Sequence, residues 1–188
     1  MRKKVFITIV LIGFIAGATP AQEKKDEHLS FYSIFQEGIV TGESGTVLQL
    51  QLINGIRYKT FFAGAGAGLD YYYERSIPVF LDLRKKIFDK LSAPFLYADG
   101  GYAFLWQKTR DAWQMDSHGG LFYELGAGYE VHVYKKLKLL LFAGYSYKGL
   151  SKTINKMPWL SVWPPPPDAL DKYEYSLRRI SFKAGFRF

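Results

Sequence analysis

The sequence predicts an all-β protein, an eight-stranded antiparallel up-and-down transmembrane β-barrel. Long segments alternate between apolar residues and small or charged ones, with the period of two that is typical of strands. Aromatic residues make up 18% of the chain, and 18 of its 188 residues are glycine, above the roughly 7% glycine of average proteins. Beyond residue 21, no apolar run approaches the roughly 18 residues that a membrane-spanning helix needs.

The N-terminus predicts export. Arg2, Lys3 and Lys4 precede an almost wholly apolar run at 5–18, and small residues follow at 19–21. This is the pattern of a cleaved signal peptide, and the run is short of the roughly 20 residues that an uncleaved anchor requires. We therefore expect a signal peptide at 1–21, a short tail at 22–29 and one domain at 30–188. There is no cysteine, so no disulfide framework is expected.

Three segments show the strand period most clearly. They are 61–74, 121–133 and 137–147, each with an apolar row opposite a row that is small, charged or mixed. Glycines share the charged row in the first two, which leaves room in a barrel interior for long facing side chains. These segments are longer than the 5–6 residues typical of strands in soluble proteins.

Five further segments complete an even number of strands. They are 29–40, 47–59, 77–87, 96–106 and one that ends at residue 188. Segment 29–40 has mixed phase. In the last segment, the apolar row changes phase near Arg178 and Arg179, which predicts a β-bulge.

The connections predict the orientation. Those at 58–60 and 134–136 are tight and 88–93 is modest, whereas 41–46, 108–118 and 151–172 are longer; 75–76 is the brief exception on that side. In bacterial barrels the short turns face the periplasm and the long loops face outward. Both chain ends, including the tail at 22–29, are then expected on the periplasmic side.

The C-terminal segment SFKAGFRF resembles the β-signal of outer-membrane barrels, in which a final aromatic residue follows alternating apolar positions. Its residues here are Phe182, Gly185, Phe186 and Phe188. The chain from about residue 30 onward resembles the small OmpX/OmpA-like barrels and the outer-membrane β-barrel families abundant in Bacteroidota. The resemblance implies the outer membrane of a Gram-negative cell, recognition by the barrel-assembly machinery, and contact with outer-membrane lipid and lipopolysaccharide. It implies no particular function, because this fold hosts many.

Charged residues on the inward rows predict a closed lumen. Eight strands leave an interior that side chains can fill, and charges shielded from water must be paired. We expect an ion-pair network that occludes the barrel; a narrow ion path is the alternative. The network residues are Arg57, Asp70, Asp82, Arg84, Asp99, Glu124, Glu130, Arg179, Lys183 and Arg187.

No catalytic residue is assigned. Asp116, Ser117 and His118 have the residue types of a hydrolase, but consecutive loop residues rarely turn toward one another. With three histidines and no cysteine, neither a metal site nor any other cofactor is expected. The formal net charge is +8, but the expected compartment argues against nucleic acid.

One predicted outer loop has distinctive composition. Two tryptophans and several aliphatic residues precede four consecutive prolines, which favour a stiff polyproline II rod. Binding a protein partner and covering the barrel mouth are equally open roles for Trp159, Trp163, Pro164, Pro165, Pro166 and Pro167. We therefore expect a non-enzymatic structural or partner-binding barrel, such as an accessory subunit of a larger outer-membrane complex. A lipid A-modifying acyltransferase or deacylase is the alternative.

Overall fold

Eight antiparallel strands close into a barrel in which each strand pairs with its neighbours in sequence, and the last strand pairs with the first. The computed structural model describes residues 29–106, 114–134, 137–155 and 170–188. The strands are β1 Ser30–Gly42, β2 Gly45–Tyr58, β3 Phe61–Asp70, β4 Ser76–Lys86, β5 Ala93–Leu105, β6 Gln114–Tyr134, β7 Leu137–Asn155 and β8 Leu170–Arg187. The predicted fold class is confirmed.

The closing ladder joins β1 and β8 from Ile34 opposite Arg187 to Gly42 opposite Arg179. Two backbone hydrogen bonds between Ser33 and Phe188, of 3.0 and 3.1 Å, extend the ladder to the last residue. The start of β1 and the end of β8 therefore lie at the rim that carries the turns after β2 and β4, which is also where β6 ends and β7 begins. We call it the inner rim.

Burial is reversed relative to a soluble protein. Leu81 on the outer surface is 67% exposed, while its sequence neighbour Asp82 is 0% exposed inside the barrel. The same alternation runs along the other strands, because successive residues of a strand point to opposite faces. An apolar outer surface over a polar interior is the arrangement of a barrel surrounded by lipid. In the described segments no helix is both long and apolar enough to cross a bilayer.

Several strand boundaries differ from the predictions. The first outer connection, expected at 41–46, is a two-residue turn, because Gly42 and Gly45 are paired and Gly45 has a φ of 105°. The second is longer than predicted and spans residues 71–75. Strand β6 begins at Gln114 and β7 continues to Asn155, inside segments expected to be loops, because these residues pair with each other above the barrel.

The predicted β-bulge in β8 is wrong. Register between β7 and β8 is unbroken from Lys138 opposite Arg187 to Asn155 opposite Leu170. The apolar residues of β8 change from one row to the other near the point where β8 extends beyond β1. The ladder between β1 and β8 ends there, at Arg179. Irregular register occurs between β6 and β7, near residues 114–116, 119–122 and 132–134.

The outward assignment of β7 can be tested at Leu141, which is 47% exposed and lies opposite Ala184. Leu141→Arg would place a charge near the middle of the apolar surface, so we expect it to lower the free energy of unfolding by about 2–4 kcal/mol. The control Val133→Arg, at the inner rim, should cost only about 0–1 kcal/mol. Reversible unfolding in lipid vesicles measures both. Equal stability of Leu141→Arg and wild type would contradict the assignment.

Candidate functional site: the charged lumen

The barrel interior brings together nine of the ten residues predicted to form the lumen network. They are all buried: Asp70, Asp82, Arg84, Asp99, Glu124, Glu130, Arg179, Lys183 and Arg187. The tenth, Arg57, is wrongly assigned. It lies at the inner rim, where its guanidinium is 3.7 Å from the exposed Asp89 and its side chain is 31% exposed.

At the inner end, one carboxylate gathers three cations. Glu130 on β6 contacts the ammonium groups of Lys86 and Lys138 at 3.2 and 2.9 Å, and the guanidinium of Arg187 at 2.6 Å. These residues come from four different strands, so the cluster ties opposite walls of the barrel together. Charge-assisted bonds of this kind are roughly twice as strong as neutral hydrogen bonds.

Two ion pairs occupy the middle of the lumen. The Arg84 Nε donates to both carboxylate oxygens of Asp82, at 2.7 and 3.0 Å. Across the barrel, the Lys183 ammonium is 2.7 Å from Glu124, whose same oxygen accepts hydrogen bonds from Tyr97 and Ser181 at 2.7 Å each. A buried charge is tolerated when its partner and added hydrogen bonds replace the lost water.

Glutamine side chains connect the two mid-lumen pairs. Arg84 donates to the Gln36 carbonyl oxygen at 3.4 Å, and Lys183 donates to the Gln51 carbonyl oxygen at 2.8 Å. The Gln36 amide in turn donates to Gln51. The middle of the barrel is therefore crossed by one continuous polar network.

Asp99 is the least well matched charge of the interior. It lies directly opposite Asp82 on β4 and Glu124 on β6, so three carboxylates stand side by side on adjacent strands. Neither of its oxygens accepts a hydrogen bond from a described residue. The two carboxylates beside it are paired: Asp82 with Arg84, and Glu124 with Lys183.

Aromatic rings fill the space between the charges. Phe95 packs edge-on against Phe142 with ring centroids 5.3 Å apart, and the Arg84 guanidinium lies 4.9 Å from the Phe142 centroid. Phe80 and Phe122 are 5.6 Å apart. Room for these rings comes from inward glycines: a Cβ on Gly66 would lie 2.6 Å from the Phe80 ring. The lumen is thus a packed core as well as a charge network.

At the outer end, the β3–β4 connection folds into the barrel mouth. Tyr72 is fully buried there, although it lies in a loop. The ammonium group of Lys148, also fully buried, donates to the backbone carbonyls of Tyr72 and Glu74 at 2.8 Å each. Asp70 and Arg179 form an ion pair of 2.5 Å beneath the loop, and the guanidinium lies 5.3 Å from the Tyr72 ring centroid.

Above Tyr72, a further ion pair holds the loop against the extended strands. Lys152 on β7 pairs with Glu74 at 2.5 Å and lies 4.8 Å from the centroid of Tyr73. Tyr73 has a φ of 61°, a conformation that few non-glycine residues adopt. Its hydrogen bond with Tyr175 on β8, reinforced by desolvation, raises the pKa of Tyr73 to about 12.

One cavity near the inner end, lined by Phe62, Phe95, Leu140 and Glu130 among others, measures about 10 Å³, which is at the lower limit for a single water molecule. Buried charges, aromatic rings and the folded-in loop therefore line the described part of the lumen from its inner end to its outer mouth.

The ten predicted residues leave out several members of the lumen network, among them Lys86, Lys138 and Lys148. Lys86 and Lys138 continue inward rows that were already recognised, and the same period would have found them. Lys148 lies just past the predicted end of its strand, so extending the row by two residues would have included it. Tyr72 lies on the charged row of the predicted segment 61–74, but the strand ends at Asp70, and Tyr72 is buried from the connection that follows.

The other candidate residues are separated or lie outside the described segments. Ser117 is buried on β6 and His118 is exposed, so neighbouring residues of one strand point to opposite faces; the side chain of Asp116 is not described. Phe182, Phe186 and Phe188 point outward on β8, and Gly185 faces Gln36 inside. In the described residues no group of three His, Cys, Asp or Glu could hold a metal ion. The signal peptide, the tail up to residue 28, and the loop with Trp159, Trp163 and Pro164, Pro165, Pro166 and Pro167 lie outside the description.

Comparison with known proteins gives matches only at the level of structure. No family model matches the chain, and no curated protein does. Neisserial surface protein A is 15% identical with a TM-score of 0.51, over 86% of this chain and 98% of that protein. OprG from Pseudomonas aeruginosa is 10% identical with a TM-score of 0.55, over 88% and 99%.

A third similar structure is AlkL, determined in lipid bilayers, which is 12% identical with a TM-score of 0.53, over 90% of this chain and 95% of that protein. All three match over nearly their whole lengths. Identities this low carry the fold and nothing more specific. The chain has the fold of the small eight-stranded outer-membrane β-barrels.

Proposed function

We propose that this chain is an integral outer-membrane barrel with a closed lumen, and that it acts as a structural or partner-binding protein. The observation that carries the proposal is the set of buried charges and rings that line the interior from the Glu130 cluster at the inner end to Tyr72 in the outer mouth. A barrel that is filled along its length acts through its surfaces. The outer surface offers lipid contact, and the extended β6, β7 and β8 offer a platform for a protein partner outside the cell.

Two alternatives have less support. A narrow ion path would need a continuous polar route along the barrel axis. Aromatic rings instead lie among the charged side chains of the lumen: Phe95, Phe142, Phe80 and Phe122. A lipid A-modifying enzyme would need a nucleophile and base within hydrogen-bond reach, and Ser117 and His118 point to opposite faces of β6.

The route to the membrane is part of the same proposal. Residues 1–21 serve as the signal peptide, the barrel-assembly machinery reads the C-terminal strand, and lipopolysaccharide contacts the outer end. Support comes from the exposed outward row of Phe182, Phe186 and Phe188, which ends at the inner rim. A partner at the external loops would make the barrel an accessory subunit of a larger complex.

Electrical recording in planar bilayers tests the closed lumen. We expect no stable conductance steps from the wild-type barrel, because paired charges and rings leave no continuous water path. Gel migration without heating, on protein from the same preparation, controls for correct folding. Large, persistent steps from a correctly folded sample would contradict the proposal and favour the pore.

The assembly proposal is tested at Phe188, which is 54% exposed at the end of β8. Phe188→Asp adds a charge near the membrane interface, where the stability cost is only about 0–1 kcal/mol. We therefore expect near-normal refolding in vitro but a sharp fall in outer-membrane abundance in cells. Phe188→Tyr keeps the aromatic ring and is the matched control. Normal abundance of Phe188→Asp would refute recognition of this residue.

A further inference from the structure

The inner rim carries lysines that the lumen network does not use. Lys59 lies in the turn after β2, Lys85 at the end of β4 and Lys90 in the turn after β4, and all three are exposed. None forms an ion pair with a carboxylate in the described segments. They contrast with Lys86, whose ammonium group turns inward to Glu130.

The ammonium group of each of these lysines lies over an exposed aromatic ring. The ammonium of Lys59 is 5.5 Å from the Tyr58 centroid, that of Lys85 is 4.8 Å from Phe61, and that of Lys90 is 5.8 Å from Phe88. The three rings are between 47% and 54% exposed. A cation over a ring at the edge of an apolar surface keeps its charge at the level of the lipid headgroups while its stem covers apolar area.

The three pairs are neighbours on one arc of the rim. Phe61 is directly opposite Lys85 in the β3–β4 ladder. The backbone N–H of Lys86 donates to the carbonyl of Thr60 at 2.9 Å, which joins the end of β4 to the turn that contains Lys59. The ammonium group of Lys86 also donates to the backbone carbonyl of Lys90 at 2.6 Å, which holds the turn after β4 beside the end of that strand.

Lys85 shows most directly that this arc meets lipid. It ends the outward row of β4, in which Val79, Leu81 and Leu83 are all exposed and apolar. A residue at the end of such a row lies where the hydrocarbon meets the headgroups. The chemistry that complements unpaired ammonium groups at that depth is the phosphate of an anionic phospholipid.

We propose that the arc formed by Lys59, Lys85 and Lys90 with their aromatic partners binds the headgroups of anionic phospholipids in the inner leaflet. The proposal rests on the proposed placement of the barrel in the outer membrane with its chain ends on the periplasmic side. It adds a lipid preference that the closed lumen does not require. A periplasmic protein with an acidic surface is the competing occupant.

Lipid retention measured by native mass spectrometry tests the proposal. The full mature barrel is refolded into vesicles of phosphatidylglycerol and phosphatidylcholine in equal amounts, extracted in mild detergent, and the ratio of retained lipids is determined. A cation near an anionic lipid surface contributes about 1 kcal/mol, or roughly a fivefold change in a binding ratio. We expect wild type to retain phosphatidylglycerol preferentially, and Lys59→Gln/Lys85→Gln/Lys90→Gln to lose about fivefold or more of that preference.

Two matched variants make the result specific. The outer-end variant Arg75→Gln/Lys172→Gln/Arg178→Gln removes the same number of exposed cations and should keep the preference. Lys59→Arg/Lys85→Arg/Lys90→Arg keeps the charge and should keep it too. Circular dichroism and unheated gel migration establish that each variant is folded.

Three outcomes would overturn the proposal. They are equal retention of both lipids by wild type, an unchanged preference in the inner-rim glutamine variant, and loss of preference only in the outer-end variant. None of them depends on conductance, so the closed lumen can stand while the lipid site fails, and a conducting barrel can still show the lipid preference.

Discussion

A β-sheet in lipid can leave no edge unpaired, because the hydrocarbon offers no hydrogen bonds to backbone groups. The ladder between β1 and β8 meets this constraint, and it runs to the last residue through Ser33 and Phe188. Closure also dictates the interior. Alternate residues of all eight strands must share a lumen about wide enough for side chains alone, so inward charges need partners inside the barrel, and most of these partners come from another strand.

The ion pairs therefore do two things at once. Glu130 on β6 binds cations from β4 and β8, and Asp70 with Arg179 joins β3 to β8, so these contacts brace strands that share no backbone hydrogen bond. The same contacts fill the space through which solute would pass. A buried cation also fixes a loop. The ammonium group of Lys148 donates two hydrogen bonds to backbone carbonyls of the β3–β4 connection, and these bonds hold Tyr72 inside the mouth.

The period of two was sufficient to predict the strands and most of the lumen, because it follows directly from the backbone. Asp82, Glu124 and Lys183 needed no other information. The period assigned Tyr72 to the inward row, but it could not predict that the connection at 71–75 folds into the mouth, nor that β6, β7 and β8 rise above the other strands, since both depend on contacts between distant segments. Arg57 is on the inward row of β2, but it lies at the inner rim, where it is partly exposed and close to Asp89. The period alone could not predict these surroundings.

Buried charge pairs across the barrel hold the lumen together. A double-mutant cycle on Asp70 and Arg179 tests this most directly, because both side chains are 0% exposed. Asp70→Asn leaves two buried cations, Arg179 and Lys148, without their carboxylate, so it should lower the unfolding free energy by about 3–5 kcal/mol. Arg179→Met leaves Asp70 with Lys148, 3.6 Å away, and should cost less. The double variant should cost at least about 1 kcal/mol less than the two single losses together. Strictly additive losses, or stable single variants, would contradict the account.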